Sequence, residues 1–260
     1  MPHVIDISGP DAGAGNSPYV RLNEQPGNAI YYDNVMYEPG GYDAHIWAME
    51  RSFVEARAPA IRPAGELRYL DFACGTGRVL QAIAPHAVRA CGVDMSHEML
   101  RHAAAKCPDA EFVRADIRTD ADALGGPFDL ITAFRFFLNT EDDMRLPVLR
   151  SLVGLLAGPD ARLVFNIHMN ARSSLLIADA YMRLRGWGGM RMMTLPHIRA
   201  LIDDAGLRIV EMRGYGMFPR GVYRSPLRGA AKRLDRFLAR QRLLGPYSHD
   251  LVFVCARALP

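Results

Sequence analysis

From residue 67 onward, short apolar runs alternate with stretches in which apolar positions recur every three or four residues. The apolar runs lie at 67–72, 87–94, 110–115, 128–134, 162–168, 207–215 and 249–257, and their length and β-branched content read as strands. Helical spacing occupies 78–84, 96–106, 142–156, 195–205 and 226–244, with a short piece at 121–124. Strand and helix in alternation predict an α/β fold with a doubly wound, mostly parallel sheet. A further helix is predicted over 43–57, with His45, Ile46, Met49, Phe53 and Ala56 forming much of its apolar stripe. Before it, residues 28–42 are rich in tyrosine. Residues 1–27 carry Pro2, Pro10, Pro18 and Pro26 among Gly, Asn and Asp, and read as a mobile arm without regular structure.

Candidate chemistry concentrates where the first of these strands ends. Asp71 closes the apolar run, and Ala73-Cys74-Gly75-Thr76-Gly77 leads directly into helical pattern at Val79. A strand, a turn of small residues and a helix start bring ligand close to backbone at the carboxyl edge of a parallel sheet. Glycine permits both the turn and the approach. The third small residue that a dinucleotide fingerprint requires is absent, because Leu80 occupies its position.

The second strand ends in Cys91-Gly92-Val93-Asp94, seventeen residues after Gly77, near the ~20-residue offset of ribose-binding acids. A carboxylate there suits two vicinal hydroxyls, and Ser96 caps the helix that follows. Together these residues resemble the first motifs of the class I S-adenosylmethionine-dependent methyltransferases. The matching positions are Asp71, Ala73, Gly75 and Gly77, with Ala73 standing where that family usually has glycine.

The resemblance implies a Rossmann-like seven-strand sheet with an antiparallel last strand, and S-adenosyl-L-methionine as cofactor. It assigns Asp71, Ala73, Cys74, Gly75 and Gly77 to the cofactor turn and Asp94 to the ribose. Asp116 and the Ile117 amide would take the adenine edge, Met95 and Ile117 its faces, and Phe134 the methionine end. Asp129 is read as serving the sheet.

Catalytic and acceptor candidates sit at the same edge. Arg135, within Phe134-Arg135-Phe136-Phe137, needs a partner in so apolar a run, either an acceptor anion or an acid such as Asp71. His168 at the end of the fifth strand is a general base or a hydrogen-bonded structural histidine. Tyr31 and Tyr32 cover the cofactor mouth or simply pack the arm. Trp187, flanked by Gly186, Gly188 and Gly189, belongs to a lid over the acceptor at 171–194, or to a connector.

The domain reading is therefore an arm at 1–27 and one methyltransferase domain at 28–260, with an aromatic cover (28–57), a lid region (171–194) and a basic helical insertion (220–245). Charge supports setting the insertion apart. The chain's formal charge is +3, yet residues 220–242 hold eight basic residues against Asp235, a net +7 that leaves the remainder at −4. Leu227, Ala231, Leu234 and Leu238 form one stripe there and Arg228, Lys232, Arg236 and Arg240 another. Such a helix is either a solvated face or a contact for an anionic surface.

Cys74, Cys91, Cys107 and Cys255 show no metal spacing and read as reduced thiols. No secretory leader and no run of 18 apolar residues is evident, so a cytoplasmic protein is expected. The Asn/Asp-Pro-Pro-aromatic signature of exocyclic-amine methylation is missing after the fourth strand. No cysteine ends strands four or five, which argues against cysteine-dependent carbon methylation of pyrimidines. The metal-dependent phenol methyltransferases place an acid at the end of strand four, where Arg and Phe stand here, so a metal-independent enzyme is expected. Its acceptor would be a small molecule, natural product or glycan, methylated on oxygen, with nitrogen as the alternative. Two other readings remain: an RNA or anionic-lipid methyltransferase working through the basic helix, and a non-catalytic cofactor-binding protein.

Overall fold

The computed structural model describes residues 4–6, 25, 27–62 and 66–258. Eight strands make one sheet: β1 (Val4–Asp6), β2 (Leu67–Phe72), β3 (Ala87–Asp94), β4 (Glu111–Arg114), β5 (Leu130–Ala133), β6 (Arg162–Ile167), β7 (Leu207–Tyr215) and β8 (Asp250–Arg257). Their order is β1-β4-β3-β2-β5-β6-β8-β7. Every pairing is parallel except those of β8, which runs antiparallel to both β6 and β7. This is the expected seven-strand, doubly wound sheet with an antiparallel last strand, plus one additional edge strand. That strand is a correction. Val4–Asp6 lies in the segment read as an arm, yet it pairs with Phe112–Arg114, in the interval between Pro2 and Pro10. The rest of 1–24 lies outside the described residues.

The helices are α1 (Asn28–Tyr31), which runs on into a π-helical turn at Tyr32–Met36, then α2 (Tyr42–Glu55), α3 (Ala58–Ile61), α4 (Arg78–Ile83), α5 (His97–Lys106), α6 (Asp142–Gly154), α7 (Leu175–Leu184), α8 (Leu195–Asp204) and α9 (Arg228–Leu238). Strand alternation decides which face each layer covers. Leu163, Phe165 and Ile167 of β6 point toward α6 and α8, where Leu149, Leu152, Ile198 and Ile202 meet them in one core. Val164 points the other way, into a second core built with Ile46 of α2, Leu80 of α4 and Leu100 of α5. Asn166 shares that second face, and its amide donates to Glu50 Oε1 at 2.8 Å, both side chains being buried. A polar pair thus fastens α2 across the carboxyl edge of the sheet.

Two carboxylates pin the opposite ends of β2. At the amino end, Asp129 accepts from the Arg68 amide (3.0 Å), from its guanidinium (2.9 Å) and from Arg62 (3.2 Å), the structural duty expected of it. At the carboxyl end, Asp71 is buried. Its Oδ2 accepts the Leu80 amide at 2.9 Å and its Oδ1 accepts the Thr132 hydroxyl at 2.6 Å. Leu80 N–H belongs to the first turn of α4, where amides have no intrahelical acceptor. Asp71 therefore caps α4 from below and ties it to β5.

The insertion between β7 and β8 is less helical than its sequence suggests. Only Arg228–Leu238 is α-helix, between 3₁₀ turns at Arg220–Arg224 and Arg242–Tyr247. The expected apolar stripe also fails as a buried face. Leu227 is 67% exposed and Leu234 47%, and Phe237 beside them is 59% exposed. What anchors the helix is Ala231 together with Asp235, the single acid of the segment. Asp235 is fully buried, accepts the Met217 amide at 3.0 Å and lies 3.1 Å from His45 Nε2. Within the lid region, 175–184 is the α7 helix, which the sequence reading left unassigned. Among the described residues, no helix is long and apolar enough to cross a membrane.

Two stability measurements test these anchors. Burial raises the Asp71 carboxyl from 3.8 to about 7, against the opposing hydrogen bonds from Thr132 and Leu80. The folded state thus holds this proton to higher pH than the unfolded chain does. Its contribution is complete below pH 3.8 and is lost as pH rises through about 7. Asp71→Asn should flatten that part of the stability–pH curve in denaturant titrations, by on the order of a few kcal/mol across the window. An unchanged slope would place the carboxylate in a solvated environment. Asp235→Ala leaves the Met217 amide and the His45 ring without their acceptor. It should cost about 1–3 kcal/mol by the same assay.

Candidate active site

Between β2 and α4 the chain passes through three left-handed residues, Ala73 (φ 51°), Gly75 (φ 54°) and Gly77 (φ 79°). Gly77 must be glycine for a packing reason as well, since a Cβ there would stand 3.0 Å from the Cβ of Ala103 on α5. At Gly75 the same construction meets nothing within 4 Å, so the turn presents open space on that side. Ala73 holds its conformation despite a Cβ, at a cost of roughly 1–2 kcal/mol. Asp94, at the end of β3, grips the turn: its Oδ2 accepts the Gly75 amide at 2.9 Å and its Oδ1 the Ser96 amide at 2.9 Å. Ser96 in turn caps α5 by accepting from the Met99 amide at 3.2 Å. Burial pushes the Cys74 thiol well up, which leaves it an unreactive wall.

These elements enclose one cleft. Of the residues assigned from sequence, Asp71, Ala73, Cys74, Gly75, Asp94, Phe134 and Arg135 line it, and Tyr32 reaches over it. Gly77 lies behind the turn. Three assigned adenine contacts are placed elsewhere. Asp116 is buried and grips its neighbour Arg118 through both carboxylate oxygens, the shorter contact being 2.6 Å. Ile117 packs in the α6–α8 core, and the Met95 carbonyl accepts from Arg114 at 2.9 Å. Met99 and Arg78 line the cleft instead, and the sequence reading named neither. Arg78, directly after the last glycine, was the legible one of the two. A cation at a glycine-turn helix start opposes the helix dipole and needs a reason.

The tyrosine-rich segment lies over this cleft. Asp33 accepts from the Thr76 hydroxyl at 2.7 Å and pairs with Lys106, so it latches the π-helical turn onto the glycine turn and the end of α5. The Arg78 guanidinium is stacked between the rings of Tyr37 (3.9 Å) and Trp47 (4.1 Å), while its Nε and Nη1 are buried without hydrogen-bond partners. Tyr32 and Tyr37 pack with ring centroids 5.3 Å apart. With the segment in place, the space left in the cleft is about 40 Å³. Small-molecule sites start near ~300 Å³. Tyr31 is 54% exposed, and Trp187 stands outside at 61% exposure against Tyr181 and Arg185 rather than in the cleft wall.

Beyond Phe134 the cleft gives way to buried polar side chains. Arg135 has left-handed backbone (φ 60°), held by its amide donating to Asn166 Oδ1 and its carbonyl accepting from Asn139 Nδ2, each at 2.6 Å. Its guanidinium pairs with Asp43 of α2 at 2.7 Å. The acid proposed from sequence was Asp71; the fold supplies Asp43, because Asp71 is already committed to Leu80 and Thr132. Arg220 lies 3.9 Å from the same Asp43 oxygen and 4.7 Å above the Tyr42 ring. Tyr42 donates to Asp250 Oδ2 at 2.6 Å. Burial pushes both Glu50 and Asp250 upward against the pull of Arg135. His168 is buried, and its Nδ1 has no hydrogen-bond partner. Burial, then Arg135 and Arg220, hold its imidazole well below the usual range, and it is neutral.

Residues 70–157 match a protein-family model described as a methyltransferase domain. A putative methyltransferase of Geobacillus sp. (strain WCH70) is 31% identical over 157 residues, covering 58% of this chain and 60% of that protein. The dTDP-4-amino-2,3,4,6-tetradeoxy-D-glucose N,N-dimethyltransferase of Saccharopolyspora spinosa is 33% identical over 123 residues, 46% of this chain and 47% of that one. The alignments thus span about half to three fifths of these relatives' lengths. Among solved structures, magnesium protoporphyrin IX methyltransferase from Synechocystis PCC 6803 with bound SAH superposes with a TM-score of 0.60 at 14% identity. That match covers 92% of this chain and 97% of the other. Residues 70–157 thus match a methyltransferase domain, and the sheet around them has the fold of the S-adenosylmethionine-dependent methyltransferase structures on which the chain superposes.

Proposed function

We propose that the protein transfers a methyl group from S-adenosyl-L-methionine to a small or medium acceptor without a metal, on oxygen in preference to nitrogen. The observation that carries this reading is the Asp94–Gly75 link. It sets a carboxylate and an open glycine turn at adjacent strand ends, in the wall of one cleft. The residues fit the cofactor: Gly75 leaves its side of the turn clear, and Arg78 keeps two buried nitrogens without partners. Asp94 would hold the ribose and Arg78 the methionine carboxylate. When bound, the cofactor supplies a methyl group on a sulfonium, open to in-line displacement.

The chain's own task is alignment and exclusion of water. Phe134 and Arg135 stand where cofactor cleft and polar cluster meet, which orients an acceptor toward the donor. The neutral His168 can take a hydrogen bond from an acceptor but is a poor store for a proton, because its imidazolium would face two guanidinium groups. The Asp33 latch must release for the cofactor to enter, since about 40 Å³ cannot admit it. The name of the Saccharopolyspora relative, an amino-sugar N,N-dimethyltransferase, keeps nitrogen and glycosyl acceptors within range.

A second reading concerns where the enzyme works. Leu227, Leu234 and Phe237 stand exposed beside Arg228, Arg233 and Arg236, an apolar edge with a basic flank, which suits an anionic lipid surface. Full-length protein should float with phosphatidylglycerol vesicles at low salt and not with phosphatidylcholine vesicles, and Phe237→Asp should abolish flotation. Equal behaviour on both lipids would make the helix a solvated face.

Calorimetric titration with S-adenosylmethionine and S-adenosylhomocysteine tests the main reading. Both should bind with no acceptor present, and Asp94→Ala should weaken each by about 1–3 kcal/mol through lost charge-assisted hydrogen bonds. Folded protein that binds neither would overturn the assignment of the cleft. An unchanged affinity in Asp94→Ala would remove that residue from it.

A further inference from the structure

We infer that the acceptor carries an anionic group, a carboxylate or a phosphate, which docks between the guanidinium groups of Arg135 and Arg220 beside His168. The inference rests on the methyltransferase reading for the word acceptor. The anion site itself rests on the geometry of the polar cluster.

Arg135 is 6% exposed and His168 8%, yet Arg135 Nε and His168 Nδ1 are both buried without a hydrogen-bond partner. Arg220 Nε is buried and unpartnered as well, although 42% of that side chain reaches solvent. Three nitrogens of neighbouring cationic or dipolar groups are thus withdrawn from water and left unsatisfied. A buried N–H without an acceptor is costly, and a buried guanidinium more so.

The acids around the cluster do not fill this need. Asp43 serves two guanidinium groups, through one oxygen at 2.7 Å from Arg135 and 3.9 Å from Arg220. Glu50 gives one oxygen to Asn166 and Asp250 one to Tyr42, and the second oxygen of each is buried without making a hydrogen bond to either arginine. Burial favours the protonated form of both these acids, which reduces the negative charge available. An anion between Arg135 and Arg220 would meet fork-shaped donors suited to planar carboxylate or tetrahedral phosphate.

Position gives the site its use. Arg135 also lines the cofactor cleft, so a group held by its guanidinium lies at the border of donor and acceptor spaces. Arg220, partly exposed and contributed by the 3₁₀ turn at the start of the basic insertion, stands at the outer end. Its ring contact with Tyr42 of α2 keeps it oriented. The two arginines, joined through Asp43, thus run from a partly exposed to a buried position.

The test uses full-length protein labelled with ¹⁵N-histidine, with the His168 ring signal assigned through His168→Gln. Sodium phosphate and sodium benzoate are titrated separately, with and without S-adenosylhomocysteine, against sodium chloride at matched ionic strength. At least one probe should shift the His168 signal saturably while chloride does not. Arg220→Met, a change at a partly exposed side chain, should weaken that probe about tenfold or more. Saturation by benzoate alone assigns a carboxylate, and by phosphate alone a phosphate. No saturable shift with either probe, or equal affinity in Arg220→Met, overturns the site. Calorimetry with S-adenosylhomocysteine on the same samples separates the two readings. Its binding without probe binding removes only the anion site, and probe binding without it removes only the methyltransferase assignment.

Discussion

A carboxylate buried under the glycine turn is the constraint on which the cleft depends. Asp71 reaches the end of β2, the first turn of α4 and the hydroxyl of β5 at once. The turn above it contains three residues in left-handed backbone, one of them an alanine. Such a turn persists only where its surroundings over-determine it. Asp71 fixes the helix that leaves the turn, Asp94 fixes the amide in its middle, and Ala103 fills the space behind Gly77. The exposed side of Gly75 is what remains once those three restraints are satisfied.

The other half of the cleft is organised by α2, along a seam of polar side chains unusual for a helix packed on a sheet. Tyr42 reaches Asp250, Asp43 reaches Arg135, His45 faces Asp235 and Glu50 takes Asn166. Each pair joins α2 to a different part of the chain: β8, the segment after β5, the insertion helix and β6. Apolar contacts from Ile46 and Phe53 hold the helix down, but these pairs fix its register over the sheet edge. Such networks are stable only when fully satisfied, and here the nitrogens of Arg135, Arg220 and His168 are left over together with one oxygen each of Glu50 and Asp250.

Which parts were legible in the sequence follows from the range of the interactions. Asp71, Gly75, Gly77 and Asp94 lie at or beside the ends of two strands, so their positions show as a short local pattern, although Asp71 also reaches Thr132, 61 residues on. Alternating apolar runs give the sheet and its cores for the same reason, since period and burial are local properties. The partners of Arg135, Asp33 and Asp235 are 92, 43 and 190 residues away, and no periodicity encodes such pairings. Charge patterning likewise counted Asp235 as a solitary acid on a basic helix, while the fold buries it as the helix's anchor. The edge strand Val4–Asp6 escaped because three residues beside prolines carry too little pattern to be distinguished from loop.

The hold of Asp33 on Thr76 and Lys106 has a kinetic meaning. One side chain bridges the cover to both walls of the glycine turn, so the cover cannot swing away from one wall while clinging to the other. Opening the cover therefore requires that both contacts be broken. Under the proposed function, exchange of the donor is thereby tied to an aspartate 43 residues upstream of the threonine it holds.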